Sequence, residues 1–379
     1  MQFDLTSEQS MLQKMMHEFA NEEVAPGAVM RDATKAFPLE VFEKLAKMGI
    51  MGLPFPEQYG GAGADTISFA IVTEELSRVC ASTGITYSAH ISLGGAPIHM
   101  FGTEEQKEKY LVPICVGQSF GAFGLTEPNA GSDAGGTETT AIEREGRFVI
   151  NGSKVFITNA SYAKFLALTA ITATGAQKEI SAILVPTDAV GFSVKAAYEK
   201  MGLHASNTTE LLLQDVEVPL ENLLGTRGHG FQQFMKTLDG GRIGIAAMAV
   251  GIAQGAFDKA VQYAKERQQF GKRLADFQAT QFKLADMAVK IELARTYVYK
   301  AAWLKDMGRP FGKEAAIAKY YASEMAMEVC DEAIQIHGGY GYMREYEVER
   351  YMRDAKLLEI GEGTSEIQKI VIARHILRG

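Results

Sequence analysis

The chain is poor in cysteine and places it without pattern. Its three cysteines, Cys80, Cys115 and Cys330, are odd in number, far apart and never in a C-x-x-C pair, which excludes a disulfide framework and fits a reducing compartment. No run of five basic residues occurs. With 38 Lys and Arg against 46 Asp and Glu the formal charge is −8, so nothing in the sequence would track a phosphate backbone. No uninterrupted apolar segment reaches the roughly 18 residues of a membrane span, and none of secretory length follows Asp4 and Glu8. The expectation is a soluble, cytoplasmic protein. Its seven histidines form no H-E-x-x-H pair that would offer a metal site. There is no G-x-S-x-G nucleophile elbow, no G-x-G-x-x-G or Walker spacing, no internal repeat and no low-complexity segment.

What is present is an ordinary globular composition over 379 residues, long enough for two or three domains. From Leu5 to about residue 120 the pattern is helical, with Leu12, Met15, Met16 and Phe19 at helix spacing and prolines as punctuation. Tyr59-Gly60-Gly61-Ala62-Gly63 reads as a loop between helices. Near Gly121 the texture changes to short β-branched or alternating runs: 148–150, 154–158, 165–171, 180–185 and 210–218. Asn151-Gly152 predicts a two-residue hairpin turn between the first two runs, and Asn222 with Gly225 closes the region. After Phe231 helical spacing resumes, in segments such as 251–265 and 280–303, with a glycine-rich break at Gly338-Gly339-Tyr340-Gly341. The expected organisation is mostly α with a middle β-domain: a helical domain (1–120), a β-domain (121–225) and a helical bundle of about four helices (226–379).

Four stretches carry candidate chemistry. In Glu359-Ile360-Gly361-Glu362-Gly363-Thr364-Ser365-Glu366-Ile367-Gln368 a carboxylate sits between two glycines. Ser365 and Gln368 have capping-box spacing for a terminal helix. Gly361 and Gly363 would let a ligand approach the backbone of Glu362 closely. Apolar surroundings would raise the carboxyl pKa toward neutrality while the helix dipole opposes the rise. Glu362 reads as a general base or as a plain loop acid beside a cap. Gly124-Leu125-Thr126-Glu127-Pro128-Asn129-Ala130-Gly131-Ser132-Asp133 is too polar for a strand and could offer hydroxyls and N–H groups to a cofactor edge, or be a long surface turn. In Lys154-Val155-Phe156-Ile157-Thr158-Asn159, period two puts Phe156 and Thr158 on one side; Phe156 could cover a ring or belong to the core. Arg267-Gln268-Gln269-Phe270-Gly271 and Gln335-Ile336-His337-Gly338-Gly339-Tyr340-Gly341 supply a guanidinium and bared backbone suited to a pyrophosphate. Arg267 could equally be a surface ion-pair residue, and His337 reads as a packed or capping histidine.

Together, and in this order, G-L-T-E-P-N-A-G-S-D, K-V-F-I-T-N, R-Q-Q-F-G-K, the run from Gln335 through Arg353-Asp354 and E-G-T at Glu362 closely resemble the acyl-CoA dehydrogenases. The likeness spans nearly the whole chain. It implies a helical domain, a β-barrel-like domain and a four-helix bundle, with FAD between the latter two and part of its site supplied by a neighbouring subunit of a homotetramer. By motif match, Leu125, Thr126, Ser132, Phe156 and Thr158 would face the flavin or the thioester, and Ser132 would also be near the CoA chain. Arg267, Phe270, Gln335 and Gly339 would reach the neighbouring subunit's FAD. Thr364 and Glu366 would lie along the cofactor held with Glu362. Asp239, Arg242, Gly361 and Gly363 would line the substrate, Arg242 matching the family's arginine near CoA. Phe156 stands where tryptophan is frequent.

The family's base is either the glutamate of E-G-T or an acid just before the arginine matched by Arg242. Gly241 occupies the second position, which leaves Glu362. The resemblance thus implies α,β-dehydrogenation of an acyl-CoA to trans-2-enoyl-CoA, with electrons passing to an electron-transferring flavoprotein. Rival readings are an enoyl-CoA reductase or acyl-CoA oxidase on the same site, or a non-catalytic flavin- or CoA-binding scaffold. Gly361, where many straight-chain members carry tyrosine, predicts room for short or branched acyl groups unless a side chain near Ile91 to Leu93 fills the gap.

Overall fold

The computed structural model describes residues 4–174 and 178–378, which form helices at both ends of the chain and a mixed eight-stranded sheet between them. The first helix, Ser7–Phe19, starts at a capping box. Thr6 Oγ1 accepts from the Gln9 N–H at 3.2 Å and Gln9 Oε1 accepts from the Thr6 N–H at 2.9 Å, satisfying two donors that a helix start leaves free. Met16 and Phe19 turn inward and Leu12 packs at the core's edge. Met15, predicted on the same stripe, is 40% exposed, because neighbours on a helix differ by about 100° and only one of Met15 and Met16 can face in. Tyr59 to Gly63 is a turn and open connection ahead of the Thr66–Val79 helix. That helix and Ala81–Ala89 are buried on nearly every face. A π-turn over His90–Gly95 then carries Leu93 toward the C-terminal helices.

The strands are β1 (Phe123–Gly124), β2 (Thr140–Arg144), β3 (Arg147–Thr158), β4 (Phe165–Thr174), β5 (Lys178–Pro186), β6 (Phe192–Val194), β7 (Thr208–Pro219) and β8 (Leu223–Leu224), in the order β6-β7-β3-β2-β4-β5-β8, with β1 beside β4. Side chains alternate along them, so Phe148, Ile150, Leu166, Leu168, Leu211 and Leu213 meet in one core on the inner face. The hairpin predicted at Asn151-Gly152 does not form. β3 runs unbroken through both residues, held to β7 on either side by Ile150 opposite Val216 and Lys154 opposite Leu211, with a bulge at Gly152. The turn falls instead at Glu145-Gly146, both at positive φ (51° and 75°) between β2 and β3, the conformation of a tight two-residue hairpin. A second bulge lies between Lys154 and Ile157.

Beyond the sheet, one 37-residue helix, Gly230–Glu266, replaces the shorter segment expected from Gly251. Gly251 and Gly255 do not break it; a Cβ at either would collide with the carbonyl of Glu74 or Arg78, so they mark close packing against the Thr66–Val79 helix. Gln278–Asp306 and Gly312–His337 complete the main bundle, followed by Val348–Ala355 and Ser365–Arg378. Buried alanines such as Ala246, Ala249, Ala253 and Ala326 line the contacts and keep the helix axes close. A short hairpin of β9 (Gln268–Gln269) and β10 (Lys272–Arg273), turning at Phe270-Gly271 with φ of 53° and 77°, projects from the end of the long helix. No helix among the described residues is long and apolar enough to cross a membrane.

Candidate active site

Glu362 lies in the link between a 3₁₀ turn, Lys356–Glu359, and the Ser365–Arg378 helix. Its φ is +52° and that of Gly363 is +94°, two left-handed residues in succession that swing the side chain back toward the bundle. The cap is one residue earlier than predicted: Thr364 Oγ1 accepts from the Ile367 N–H at 3.3 Å, while Ser365 Oγ is buried without a partner. Gln368 does not close a capping box. Its Nε2 donates to the carbonyls of Gly363 (2.8 Å) and Glu362 (3.3 Å). Lys319, on the Gly312–His337 helix and fully buried, donates to the same Gly363 carbonyl at 2.7 Å. The turn that carries Glu362 is therefore pinned from two sides.

The Glu362 carboxylate points at Gly241 of the long helix. A Cβ built there would overlap Oε2 and would lie 3.2 Å from Cδ, with Leu93 Cδ2 at 3.3 Å closing the other side. Oε2 is fully covered and has no hydrogen-bond partner, although the residue as a whole is only half-buried. This dehydration pushes the carboxyl up to about 7, against the pull of Lys319 and Arg242. Arg242 is 5% exposed and bonds Asp239. Burial holds Asp239 above the usual carboxylate range despite Arg242. Burial also pushes the Lys319 ammonium down to about 8, opposed by the charge of Glu362. Of the predicted residues, Glu362, Gly363, Arg242 and Asp239 meet here. Gly361 stands beside them in the same link, where a Cβ would meet Leu357 at ordinary contact distance, 3.5 to 3.8 Å, without a clash. Thr364 is half-buried and Glu366 is exposed in the first turn of the terminal helix.

A second group gathers where the polar loop meets β3. The Val155 N–H donates to the Thr126 carbonyl at 2.9 Å, which lays Leu125 and Thr126 beside Phe156 and Thr158. Lys154, fully buried, donates to Glu127 Oε1 at 2.6 Å, to Thr169 Oγ1 at 3.2 Å and to the Leu125 carbonyl at 3.3 Å. Glu127 also accepts from the N–H groups of Glu138 (2.7 Å) and Thr139 (3.2 Å). Burial works to raise the Glu127 carboxyl, but Lys154 and these N–H bonds outweigh it and hold it below its ordinary value. Phe156 is not core. It sits on the second bulge at φ +60°, 66% exposed, with Tyr198 tilted against it at 5.5 Å; the extra residue breaks the alternation that would have buried it. Asn159, to which the sequence assigns no role, is buried and donates to the carbonyls of Thr86 (3.1 Å) and Gly121 (3.3 Å), tying this strand end to the first helices. Ser132 is exposed in the loop.

The third group lies at the far end of the bundle. Arg267 rests over the Tyr340 ring at 5.4 Å and makes no ion pair among the described residues, so the surface ion-pair reading fails. A groove lined by Tyr263, Arg267, His337, Gly339 and Met343 opens there. Gln335 and Gly339 are exposed, and Phe270 is 93% exposed at the hairpin tip. His337 is packed, as read: it stacks on Tyr263 at 4.3 Å and Nδ1 faces the Ala333 carbonyl at 2.7 Å. From Gly241 to Glu266 the long helix rises about 38 Å at ~1.5 Å per residue. That span separates this group from Glu362 in the same chain.

Known proteins share this chain's sequence and fold. The N-terminal, middle and C-terminal domain models of acyl-CoA dehydrogenase match residues 6–118, 122–216 and 228–377. A short-chain-specific acyl-CoA dehydrogenase of Clostridium acetobutylicum is 52% identical over 379 residues, covering all of both chains. An acryloyl-CoA reductase (NADH) of Anaerotignum propionicum is 46% identical over all of this chain and 96% of its own. The structure of butyryl-CoA dehydrogenase from Megasphaera elsdenii superposes with a TM-score of 0.97 at 48% identity, each chain covered in full. Domain models in this order, full-length relatives near half identity and the same architecture converge: the chain is an enzyme of the acyl-CoA dehydrogenase family.

Proposed function

We propose that this chain, organised as domains 1–120, 121–225 and 226–379, oxidises a short or branched acyl-CoA to the trans-2-enoyl-CoA, with Glu362 as base, FAD as cofactor and an electron-transferring flavoprotein as acceptor. The observation that carries the reading is the Glu362 carboxylate: covered, unpartnered and poised near neutrality in the space Gly241 leaves. A carboxylate there can take the α-proton of a thioester onto its free oxygen. It needs help, because an α-proton is acidic enough only when the enolate oxygen is held by fixed donors. The Glu362 N–H donates to no acceptor among the described residues and is free for that oxygen. Arg242 and Asp239 would hold the substrate beside the base, with Ser132 near its CoA chain and Gly361 and Gly363 allowing its acyl end to approach.

The residues present fit FAD. Thr126 and Thr158 are half-buried and Leu125 is buried where the polar loop meets β3, and the Phe156 face, held out by a bulge, is apt to cover a flavin ring; Thr364 and Glu366 would lie along the cofactor from the base side. Bound there, FAD would supply the two-electron acceptor for the β-hydrogen. Arg267, Phe270, Gln335 and Gly339 would serve another subunit's FAD; their exposure some 38 Å from Gly241 along the helix supports that role and the homotetramer it needs. The kinship with an acryloyl-CoA reductase favours a second reading, the same site run toward saturation.

The test is anaerobic flavin bleaching by a panel of acyl-CoAs of varied length and branching. Glu362→Gln should keep FAD and bind acyl-CoA yet bleach about two to four orders of magnitude more slowly. Bleaching at wild-type speed would place the base elsewhere. Faster enoyl-CoA reduction by reduced electron-transferring flavoprotein than acyl-CoA oxidation by its oxidised form would favour the reductase.

A further inference from the structure

Lysine is almost never fully buried unless something at the site needs its charge or its donors. Lys319 has no exposed surface and is drawn into an alanine stripe, with Ala315, Ala318, Ala322 and Ala326 buried on the same helix. Nothing in the mechanism above uses it. Its ammonium donates to the Gly363 carbonyl at 2.7 Å, one residue beyond Glu362. A neutral donor, Gln368 Nε2, already reaches that carbonyl at 2.8 Å, so an uncharged side chain would have sufficed to satisfy it.

Resting on the reading of Glu362 as base, we propose that Lys319 is a positioning residue for the proton abstraction: it clamps the left-handed Glu362-Gly363 turn through the Gly363 carbonyl, so that the carboxylate enters the gap over Gly241, and its charge stabilises that carboxylate in the ionised form. The surroundings leave it this role. The charged groups around Glu362 are Lys319 from the Gly312–His337 helix and Arg242 with Asp239 from the long helix. Glu359 and Glu366 flank the base on its own segment, and His375 of the terminal helix faces Asp239. The π-turn brings Leu93 Cδ2 to the gap over Gly241, while its titratable residue, His90, is occupied by the Met51 carbonyl and the Gly121 N–H. Arg242 is already bonded to Asp239, so its charge is largely answered there, and among the described residues Lys319 bonds no carboxylate of its own. A positive charge beside an acid favours the ionised form, so the base stays active to lower pH than its dehydration alone would allow.

The experiment uses the FAD-loaded enzyme with a short acyl-CoA and reads the pH dependence of kcat/KM together with anaerobic bleaching. In Lys319→Gln, which retains a donor but no charge, the acid limb should move up by about one pH unit. Turnover should fall about tenfold at pH 6 and recover most of that loss by pH 9, with KM little changed. Lys319→Arg should leave the limb near its wild-type position. Gln368→Met, which removes the neutral donor from the same carbonyl, should lower kcat without moving the limb. An unmoved limb in Lys319→Gln, or losses equal at every pH, would overturn the proposal. So would a Lys319→Gln chain that cannot fold while Lys319→Met folds with a wild-type profile, or failure of both to fold, which would make the lysine purely structural. Failure of the base assignment itself is distinct: Glu362→Gln would then bleach normally whatever Lys319 does.

Discussion

The carboxylate of Glu362 occupies the volume that a side chain at Gly241 would need, so the two positions exclude each other: one carries the acid, the other must carry nothing. Gly241→Ala is therefore expected to push the carboxylate out of place without unfolding the helix. The clashing atom is the tip of a flexible side chain, and alanine is favoured over glycine in a helix interior by roughly 0.5–1 kcal/mol. A misplacement of about 1 Å at a reacting group can cost about 100-fold. Single-turnover bleaching should fall by about that factor while the melting temperature holds; a fast Gly241→Ala enzyme would mean that the carboxylate works from another rotamer.

The Glu362 carboxyl, pushed up to about 7 from its ordinary 4.5, gives a pH signature in stability as well as in rate. Between those values the folded state binds the proton more tightly than the unfolded chain. This contribution is complete below about pH 4.5 and is lost as pH rises through 7. Glu362→Gln has no such loss. Its melting temperature should match the wild type near pH 4.5 and exceed it at pH 8. A difference independent of pH would show that the carboxyl is not dehydrated in solution.

Removing Lys154 would leave Glu127 buried and unpaired at the root of the polar loop. Breaking a buried pair this way typically costs about 3–5 kcal/mol. Lys154→Met should lower the denaturation midpoint accordingly and release FAD more readily, because the Leu125 carbonyl hangs on the same ammonium. Denaturant titration with flavin fluorescence checks both; a variant as stable as the wild type would mean that Glu127 finds water or another partner.

At Gly361 a Cβ would meet only ordinary contacts among its nearest neighbours, all from Leu357, and the residue has no positive φ to resist one. Gly361→Tyr should fold, and should lower kcat/KM for branched or bulky acyl-CoAs more than for butyryl-CoA. A methylene of fit is worth only about 1–3 kcal/mol, so the change should be graded. Equal losses on all substrates would show that this position does not shape the acyl pocket.

Some of this was legible in the chain because its physics is local. β-branched runs at 165–171, 180–185 and 210–218 become β4, β5 and β7, and the glycines around Glu362 mark a left-handed turn. The misreadings are cases where distant contacts overrule a local signal. Asn151-Gly152 has good turn chemistry, yet pairing of β3 with β7 on both sides carries the strand through it. Phe156 looks like a core aromatic until a bulge, fixed by the register with β7, turns it out. Lys319 gives one faint sign, a lysine on an alanine stripe, whose meaning depends on a carbonyl 44 residues away in sequence. Glu127 and Lys154 stand in plain view within their motifs, but only the fold brings them together.

Glu362 sits at a backbone angle that suits glycine and keeps a carboxyl group out of water, so the residue is poorly housed in every respect except its chemistry. If Glu362 is the base, as proposed, a collection of variants ranked by yield, solubility or heat resistance would therefore promote replacements at 362 that cost turnover. Enrichment schemes applied to this scaffold need a catalytic readout in every round, or they will gather sturdy, inert proteins.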